Sequence, residues 1–302
     1  MIRLTDNLTA YNCDNLELLA VTPAKSVDVI CIDPPYLYLK NQKLERPFDA
    51  PLFFTECRRV LKDTGFIVMF GRGSTFYRWN VLLEDLGLIF KEEVIWNKKN
   101  GSSPLTNLLR VHETVSIFGK RKAIIRKSRV PYLEAKAYKI ESILRDLSAV
   151  KSLVGEINLE AFSGILKGAS EAWGETVSKK GTTKQTGIKN RPQGYNSAIA
   201  IKHGAVETSI IELSRAKLEA HPTQKPARLI ERLLAIVVPQ NVPPSSVMVA
   251  DYFGGSFSLL RACYNAGYTG VACEIDEEYY SAGVKATRAY IEQKETEFLK
   301  SF

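Results

Sequence analysis

Val27-Asp28-Val29-Ile30-Cys31-Ile32-Asp33-Pro34-Pro35-Tyr36 decides the fold class. Apart from Asp28, the first six residues are apolar and mostly β-branched, the composition of a strand buried on both faces of a parallel sheet. The run breaks at Asp33. The loop that follows therefore lies at the carboxyl edge of its strand, where open α/β sheets bind ligands. Two successive prolines fix φ at about −65° and remove two amide donors, so the carbonyls of the turn are rigid and point outward as acceptors. A carboxylate, a fixed carbonyl and an aromatic ring suit a flat ligand with an exocyclic amino group, such as a nucleobase. A Pro-Pro turn that only ends a strand over a packed tyrosine explains the same residues equally well.

Outward from this stretch the sequence alternates. A helix is predicted over Pro51–Leu61, then a strand at Phe66–Phe70, a helix at Ser74–Leu86, and strands at Glu93–Trp96 and Thr114–Phe118. The rhythm is lost after Lys120, where helical spacing around Leu133–Leu153 gives way to a Gly/Lys/Thr/Gln-rich stretch. It returns with a helix over Pro226–Val238, a strand at Val247–Ala250, a helix at Phe257–Ala266 and a strand at Thr269–Ile275. Strand and helix in alternation predict an α/β fold. No internal repeat is visible.

The 302 residues, 45% of them hydrophobic and 25% charged, suit one large domain with an insertion and argue against disorder or low complexity. No apolar run approaches the roughly 20 residues needed to span a bilayer, and the opening residues lack a signal-peptide core, so a cytoplasmic protein is expected. Cys13, Cys31, Cys57, Cys263 and Cys273 form no Cys-x-x-Cys pair and histidines are few, so neither a disulfide framework nor a metal site is expected. The net charge of +8 is concentrated. Residues 121–215 hold 17 lysines and arginines against nine acids, whereas residues 1–120 and 216–302 each lie within one charge of neutrality. Lys179, Lys180, Lys184, Lys189, Arg191 and Lys202 follow one another without an intervening acid. Such a run is either a solvated loop or a surface for a polyanion.

Two further motifs carry chemistry. Asp251-Tyr252-Phe253-Gly254-Gly255-Ser256-Phe257-Ser258 forms a glycine-bearing turn between a strand and a helix, and the next strand ends in Glu274 and Asp276. An acid at that spacing is the usual partner of ribose hydroxyls in a nucleotide-type βαβ unit. The three-glycine dinucleotide fingerprint and the phosphate-loop Lys-Ser/Thr are both missing, so simple NAD and ATP readings lose ground. His221-Pro222-Thr223-Gln224-Lys225-Pro226 precedes a helix. Either Thr223 caps that helix, with Lys225 and Pro226 in its first turn, or Lys225 faces an anionic ligand group.

Together these motifs resemble the β-class amino-methyltransferases of DNA, enzymes that use S-adenosylmethionine. The likeness rests on the Asp33-Pro34-Pro35-Tyr36 loop, Arg59-Val60-Leu61 in its helix, Trp96-Asn97-Lys98, the stretch from His112-Glu113 to Phe118-Gly119-Lys120, and the chain from His221 to about Ala289. It implies a Rossmann-like, mixed but mostly parallel, seven-stranded methyltransferase sheet in circularly permuted order. Residues 1–120 would be its catalytic half, residues 216–302 its cofactor-binding half, and residues 121–215 an inserted target-recognition region. By the same likeness Asp33, Pro34, Pro35 and Tyr36 hold the target base. Asp14, Asp33, Thr223, Lys225, Asp251, Phe253, Gly255, Ser256 and Glu274 would form the cofactor pocket, with Thr223 and Lys225 on the methionine carboxylate and Glu274 on the ribose. Asp14 reads equally as a surface acid. Lys179, Lys180, Lys184, Lys189 and Arg191 would contact DNA, and no metal is required.

The family's loop reads Asp-Pro-Phe-x-Gly-Ser-Gly-Thr. Here Tyr252 replaces the proline and Phe257 the second glycine, so Gly255 is expected to make the closest approach and Phe257 to pack behind the turn. The activity implied is methyl transfer to the N6 amino group of adenine in double-stranded DNA, by base flipping and direct displacement. Amino methylation of cytosine at N4, an RNA substrate, and a non-catalytic DNA-binding protein on the same fold remain as alternatives. A homodimer and a separate restriction enzyme are compatible with the resemblance.

Overall fold

A computed structural model describes residues 1–36, 46–101, 107–156, 194–215 and 224–300. They form two compact units, one of residues 1–126 with 208–302 and one of residues 127–207. In chain order the first unit runs β1 (Ile2–Thr5), β2 (Leu8–Asn12), helix Asn15–Val21, β3 (Val27–Ile32), helix Ala50–Val60, β4 (Leu61–Gly71), helix Gly73–Asp85, β5 (Ile89–Asn97) and β6 (His112–Gly119). The second unit contains β7 (Arg129–Val130), helices Tyr132–Ala135, Ile140–Glu156 and Tyr195–His203, and β8 (Ala205–Val206). The chain then re-enters the first unit with β9 (Ile210–Glu212), helix Ala227–Val237, β10 (Met248–Asp251), helix Ser258–Ala266, β11 (Thr269–Glu274) and helix Glu277–Leu299.

The main sheet has the order β1-β2-β11-β10-β3-β4-β6-β5-β9. Neighbours from β2 through β4 are parallel, β6 is antiparallel to both β4 and β5, β9 is parallel to β5, and β1 is antiparallel to β2. The sheet is thus Rossmann-like and mostly parallel, but among the described residues nine strands join it where seven were expected. The two additions are edge strands too short for a periodic signal. β1 closes a tight hairpin with β2, and the three residues of β9 are held beside β5, where the Trp96 indole also donates to the Leu213 carbonyl at 2.7 Å. β9 falls inside the span 121–215, so part of that span is sheet.

β3 is buried on both faces. Val29 and Cys31 join one hydrophobic cluster with helices Ala227–Val237 and Ser258–Ala266, while Val27, Ile30 and Ile32 join another with helices Asn15–Val21, Ala50–Val60 and Gly73–Asp85. The acid within this strand is paired, because Asp28 accepts from Lys62 Nζ at 2.6 Å and from the Met248 amide at 2.9 Å. It ties β3 to its neighbours on both sides, which makes a buried carboxylate tolerable.

In the second unit the helical spacing read across Leu133–Leu153 resolves into two helices. Ala137 and Tyr138 take positive φ of 50° and 58° between them, a left-handed break that ends the first helix. Tyr132 donates to Asp146 at 2.9 Å and Lys136 pairs with the same carboxylate at 2.7 Å, bracing the two helices. Among the described residues, no helix is long and apolar enough to cross a membrane and no cluster of metal-ligating side chains occurs.

Candidate functional site

β10 lies beside β3, with Val249 opposite Val29 and Ala250 opposite Ile30, and both strands run the same way. Their carboxyl ends therefore deliver the Asp33 turn and the Asp251–Ser256 turn to one place. β11, on the other side of β10, brings Glu274 to the same edge. A cavity of about 260 Å³ opens there, within the first compact unit, and Asp14, Asp33, Pro34, Pro35, Tyr36, Lys225, Asp251, Phe253, Gly255, Ser256 and Glu274 all line it. Thr223 and the basic residues Lys179, Lys180, Lys184, Lys189 and Arg191 lie outside the described residues. Asp14 has a second task as the N-cap of helix Asn15–Val21, accepting from the Leu16 amide at 2.8 Å.

Both oxygens of Asp33 are engaged. Oδ1 accepts from the Tyr36 hydroxyl and Oδ2 from the Lys225 ammonium. Lys225 Nζ also lies 3.2 Å from Glu113 Oε2, and Lys98 Nζ reaches Glu113 Oε1 at 3.0 Å. Here Lys225 serves two carboxylates of its own chain, where the resemblance assigned it to a ligand carboxylate. The helix after it begins at Ala227 with Pro226 as N-cap, so Lys225 and Pro226 precede its first turn instead of standing in it. Tyr36, whose ring was read as suited to a flat ligand, also uses its hydroxyl on Asp33.

Burial shapes these groups. It pushes the Asp33 carboxyl up, and the Lys225 ammonium beside it only partly offsets this. Burial also pushes Glu113 up, but the ammoniums of Lys225 and Lys98 outweigh it and hold this acid at about 2. Lys225 is pushed down by burial and raised further by its two carboxylates, so it remains an ammonium. Asp251 has no cation within ion-pair distance among the described residues. Burial raises it to about 7, although its Oδ1 accepts from the Phe253 amide at 2.9 Å.

In the glycine turn, Gly255 takes a φ of +49° and its amide donates to Glu274 Oε2 at 2.9 Å, while the Asp276 amide donates to Oε1 at 2.8 Å. Phe257 also adopts the left-handed region, with φ +57°, a conformation that favours glycine. Its ring is fully buried, edge-on to Tyr280 at 5.9 Å. A β-carbon at Gly254 would run into that ring and lie 2.9 Å from the Cys273 carbonyl oxygen; one at Gly283 would lie 2.8 Å from the Gly255 carbonyl oxygen and 2.9 Å from the ring. Two glycines thus make the slot that the phenylalanine fills. Tyr252 is buried, its ring 6.0 Å from that of Phe53. Phe257→Ala removes the ring but keeps the left-handed β-carbon, so it is expected to cost about 3–5 kcal/mol. Denaturant unfolding checks this, and a loss below about 1 kcal/mol would show that the ring does not support the turn.

Several lining residues carried no role from sequence, among them Glu113, Arg46, Phe48 and Phe70. Arg46 pairs with Asp276 at 3.1 Å, and Phe48 stacks edge-on against Phe253 at 5.0 Å. Glu113 was visible only as part of the His112–Lys120 stretch, with nothing local to mark it.

The profile of the family described as DNA methylase, N6_N4_Mtase, matches residues 27–285. The type II methyltransferase M.HinfI of Haemophilus influenzae is 30% identical over 131 residues, covering 35% of this chain and 36% of that one. M.BglII of Bacillus subtilis is 23% identical over 89% of this chain and 66% of its own, and the DNA adenine methyltransferase YhdJ of Escherichia coli is 25% identical over 92% and 81%. The match therefore spans about a third of M.HinfI and just under two thirds of M.BglII. Among solved structures, the M1.HpyAVI-SAM complex aligns with a TM-score of 0.52 at 18% identity, covering 92% of this chain and 99% of that one. The cytosine-N4-specific PvuII DNA methyltransferase aligns with 0.54 at 16%, covering 94% and 86%. These structures share the fold, and the profile takes in both the Asp33 turn and the glycine turn that meet at this cavity; the chain belongs to the N6_N4_Mtase family of DNA methylases.

Proposed function

We propose that the chain transfers a methyl group from S-adenosylmethionine to the N6 amino group of adenine in double-stranded DNA. The observation that carries this reading is the meeting of the Asp33-Pro34-Pro35-Tyr36 turn and the Asp251–Ser256 turn in one cavity, at the ends of adjacent parallel strands. The donor set fits the cofactor. Glu274 suits a ribose diol, Asp251 is a buried acid with no cation within ion-pair distance among the described residues and so suits the ammonium end of a methionine moiety, and Phe253 adds an apolar wall. Bound S-adenosylmethionine supplies an electrophilic methyl group.

The chain's own residues do the rest. Two carboxylate oxygens offer about four lone-pair positions, of which Tyr36 and Lys225 occupy two, so Asp33 can still accept from an amino group. With the Pro34 carbonyl as second acceptor, the amino nitrogen becomes pyramidal and its developing positive charge is stabilised. Positioning supplies much of the remaining rate. Such a base must leave the duplex, at a cost of a few kcal/mol. Adenine is favoured over cytosine because the turn begins with Asp rather than Ser, and YhdJ, similar over most of its length, is described as a DNA adenine methyltransferase. Unmethylated DNA incubated with protein and S-adenosylmethionine, digested to nucleosides and resolved by mass, should yield N6-methyldeoxyadenosine. N4-methyldeoxycytidine alone would move the assignment to cytosine, and no methylated nucleoside would overturn it.

Residues 121–215 are the proposed DNA-recognition region, on the strength of their +8 charge. Replacing Lys179, Lys180 and Lys184 together with Gln should weaken binding to cognate and random duplexes alike. It should also flatten the logarithmic salt dependence by about one unit per lost phosphate contact. Titrations at several salt concentrations measure both. An unchanged slope would make these lysines a solvated loop.

A further inference from the structure

We propose that Glu113 is a positioning residue for this reaction, acting through Lys225 to hold the Asp33 carboxylate in place and to balance the charge beside the amino nitrogen. The inference rests on the methyltransferase reading of the cavity and deepens it.

Four charged side chains from distant parts of the sequence form one chain of contacts. Lys98 follows β5, Glu113 opens β6, Lys225 precedes helix Ala227–Val237 and Asp33 follows β3. Glu113 bridges Lys98 at 3.0 Å and Lys225 at 3.2 Å, and Lys225 continues to Asp33. Pairing of β5 with β6 fixes the first link, since Trp96 lies opposite Glu113 and the Lys98 amide donates to the Val111 carbonyl at 2.7 Å. The ammoniums rest on aromatic rings, Lys98 5.7 Å from the centroid of Trp96 and Lys225 5.2 Å from that of Phe70. Both lysines are buried, and the Glu113 side chain is 15% exposed.

Buried charges persist only in balance. Two carboxylates and two ammoniums make this cluster neutral. Were Lys225 paired with Asp33 alone, that pair would already be neutral; Glu113 and Lys98 add a second, opposed pair behind it. During transfer, positive charge develops on the amino nitrogen next to Asp33. Removing the charge of Glu113 leaves the cluster at net +1, which opposes that development, whereas removing the charge of Lys98 leaves net −1. Asp33 should respond in the same sense, because a neighbouring negative charge raises a carboxyl and a positive one lowers it. The other groups facing Asp33 are unaltered by either change: the Tyr36 hydroxyl in its own turn, the Cys31 thiol in β3, Asp251 at the end of β10, and Arg72 past β4, which lines the same cavity.

The test is single-turnover methyl transfer to unmethylated genomic DNA, with labelled S-adenosylmethionine, measured against pH for the unaltered protein, Glu113→Gln, Lys98→Met and the double variant. Glu113→Gln should slow transfer about tenfold and move the half-point of the acid limb down by ~0.5 unit or more; Lys98→Met should move it up by a similar amount. The double variant should return it towards the starting value. A merely structural role would lower stability or amplitude without shifts of opposite sign. If Glu113→Gln does not fold, the upward shift in Lys98→Met decides. Coincident half-points in an active protein would overturn this proposal alone, while no transfer by the unaltered protein would overturn it together with the methyltransferase reading.

Discussion

Asp33→Ala is expected to slow methyl transfer by about a hundredfold or more while changing cofactor affinity less than about tenfold. The contact proposed for Asp33 is to the amino group of the base, and it strengthens only as charge develops there, so the loss should fall on the chemical step. Structure supports the separation. Asp33 touches Tyr36 and Lys225, whereas Glu274 and Asp251 sit on other strands. Lys225 is not stranded by the change, because Glu113 remains 3.2 Å away, so the variant should fold. Calorimetric titration of S-adenosylmethionine and a turnover assay measure the two quantities independently. More than a tenth of the original rate would show that another group accepts the amino protons.

Asp251→Asn should produce opposite effects on stability and on binding. Burial lifts this carboxyl to about 7 in the folded protein, against an ordinary value of 3.8. Between those values the native state holds a proton that the unfolded chain has released, so stability falls as pH rises through the window and stays low above it. Without ligand, the asparagine variant should therefore be more stable than the original at pH 8, on the order of 2–4 kcal/mol, with the difference shrinking towards pH 4. Asparagine still accepts from the Phe253 amide, but it cannot offer a negative charge to an ammonium. S-Adenosylmethionine should bind at least tenfold more weakly, and the rise in affinity expected of the original from pH 6 to pH 8, as Asp251 ionises, should be absent. Equal melting at pH 8 together with unchanged affinity would remove Asp251 from the cofactor site.

What could be read from the sequence was what repeats locally. β3 announces itself by an apolar run and β10 by another, and each ends in residues too unusual for an ordinary turn. Because both strands are parallel and adjacent, recognising the two turns was nearly enough to bring Asp33, Asp251 and Glu274 together. β1 and β9 escaped because a strand of three or four residues carries no period, and its place is set by partners far along the chain. Helix Glu277–Leu299 was not foreseen although Asp276 caps it, with its side chain accepting from the Glu278 and Tyr279 amides at 3.1 and 3.2 Å. The contacts of Lys98, Glu113, Lys225 and Asp33 join positions up to 192 residues apart. No spacing rule connects them, and only the sheet order reveals that Lys225 faces a carboxylate of its own chain. Phe257 was expected to pack behind the turn and does so; the slot that receives it depends on Gly283, in a helix that begins 20 residues later.

The junctions of the small unit bear on how such proteins are recombined. On the way out, Ala123 is buried in the main core and the Arg126 amide donates to the Ile236 carbonyl at 2.8 Å. On the way back, the Ser209 carbonyl accepts from the Ile95 amide at 2.7 Å just ahead of β9. Among the described residues, the positions flanking residues 127–207 are thus held within the first unit, one by helix Ala227–Val237 and the other by β5. On the proposed reading of residues 121–215 as the DNA-recognition region, a segment so bounded is a cassette: exchanged between chimeras at Arg126 and Thr208, it should carry sequence preference with it and leave the chemistry of the host behind.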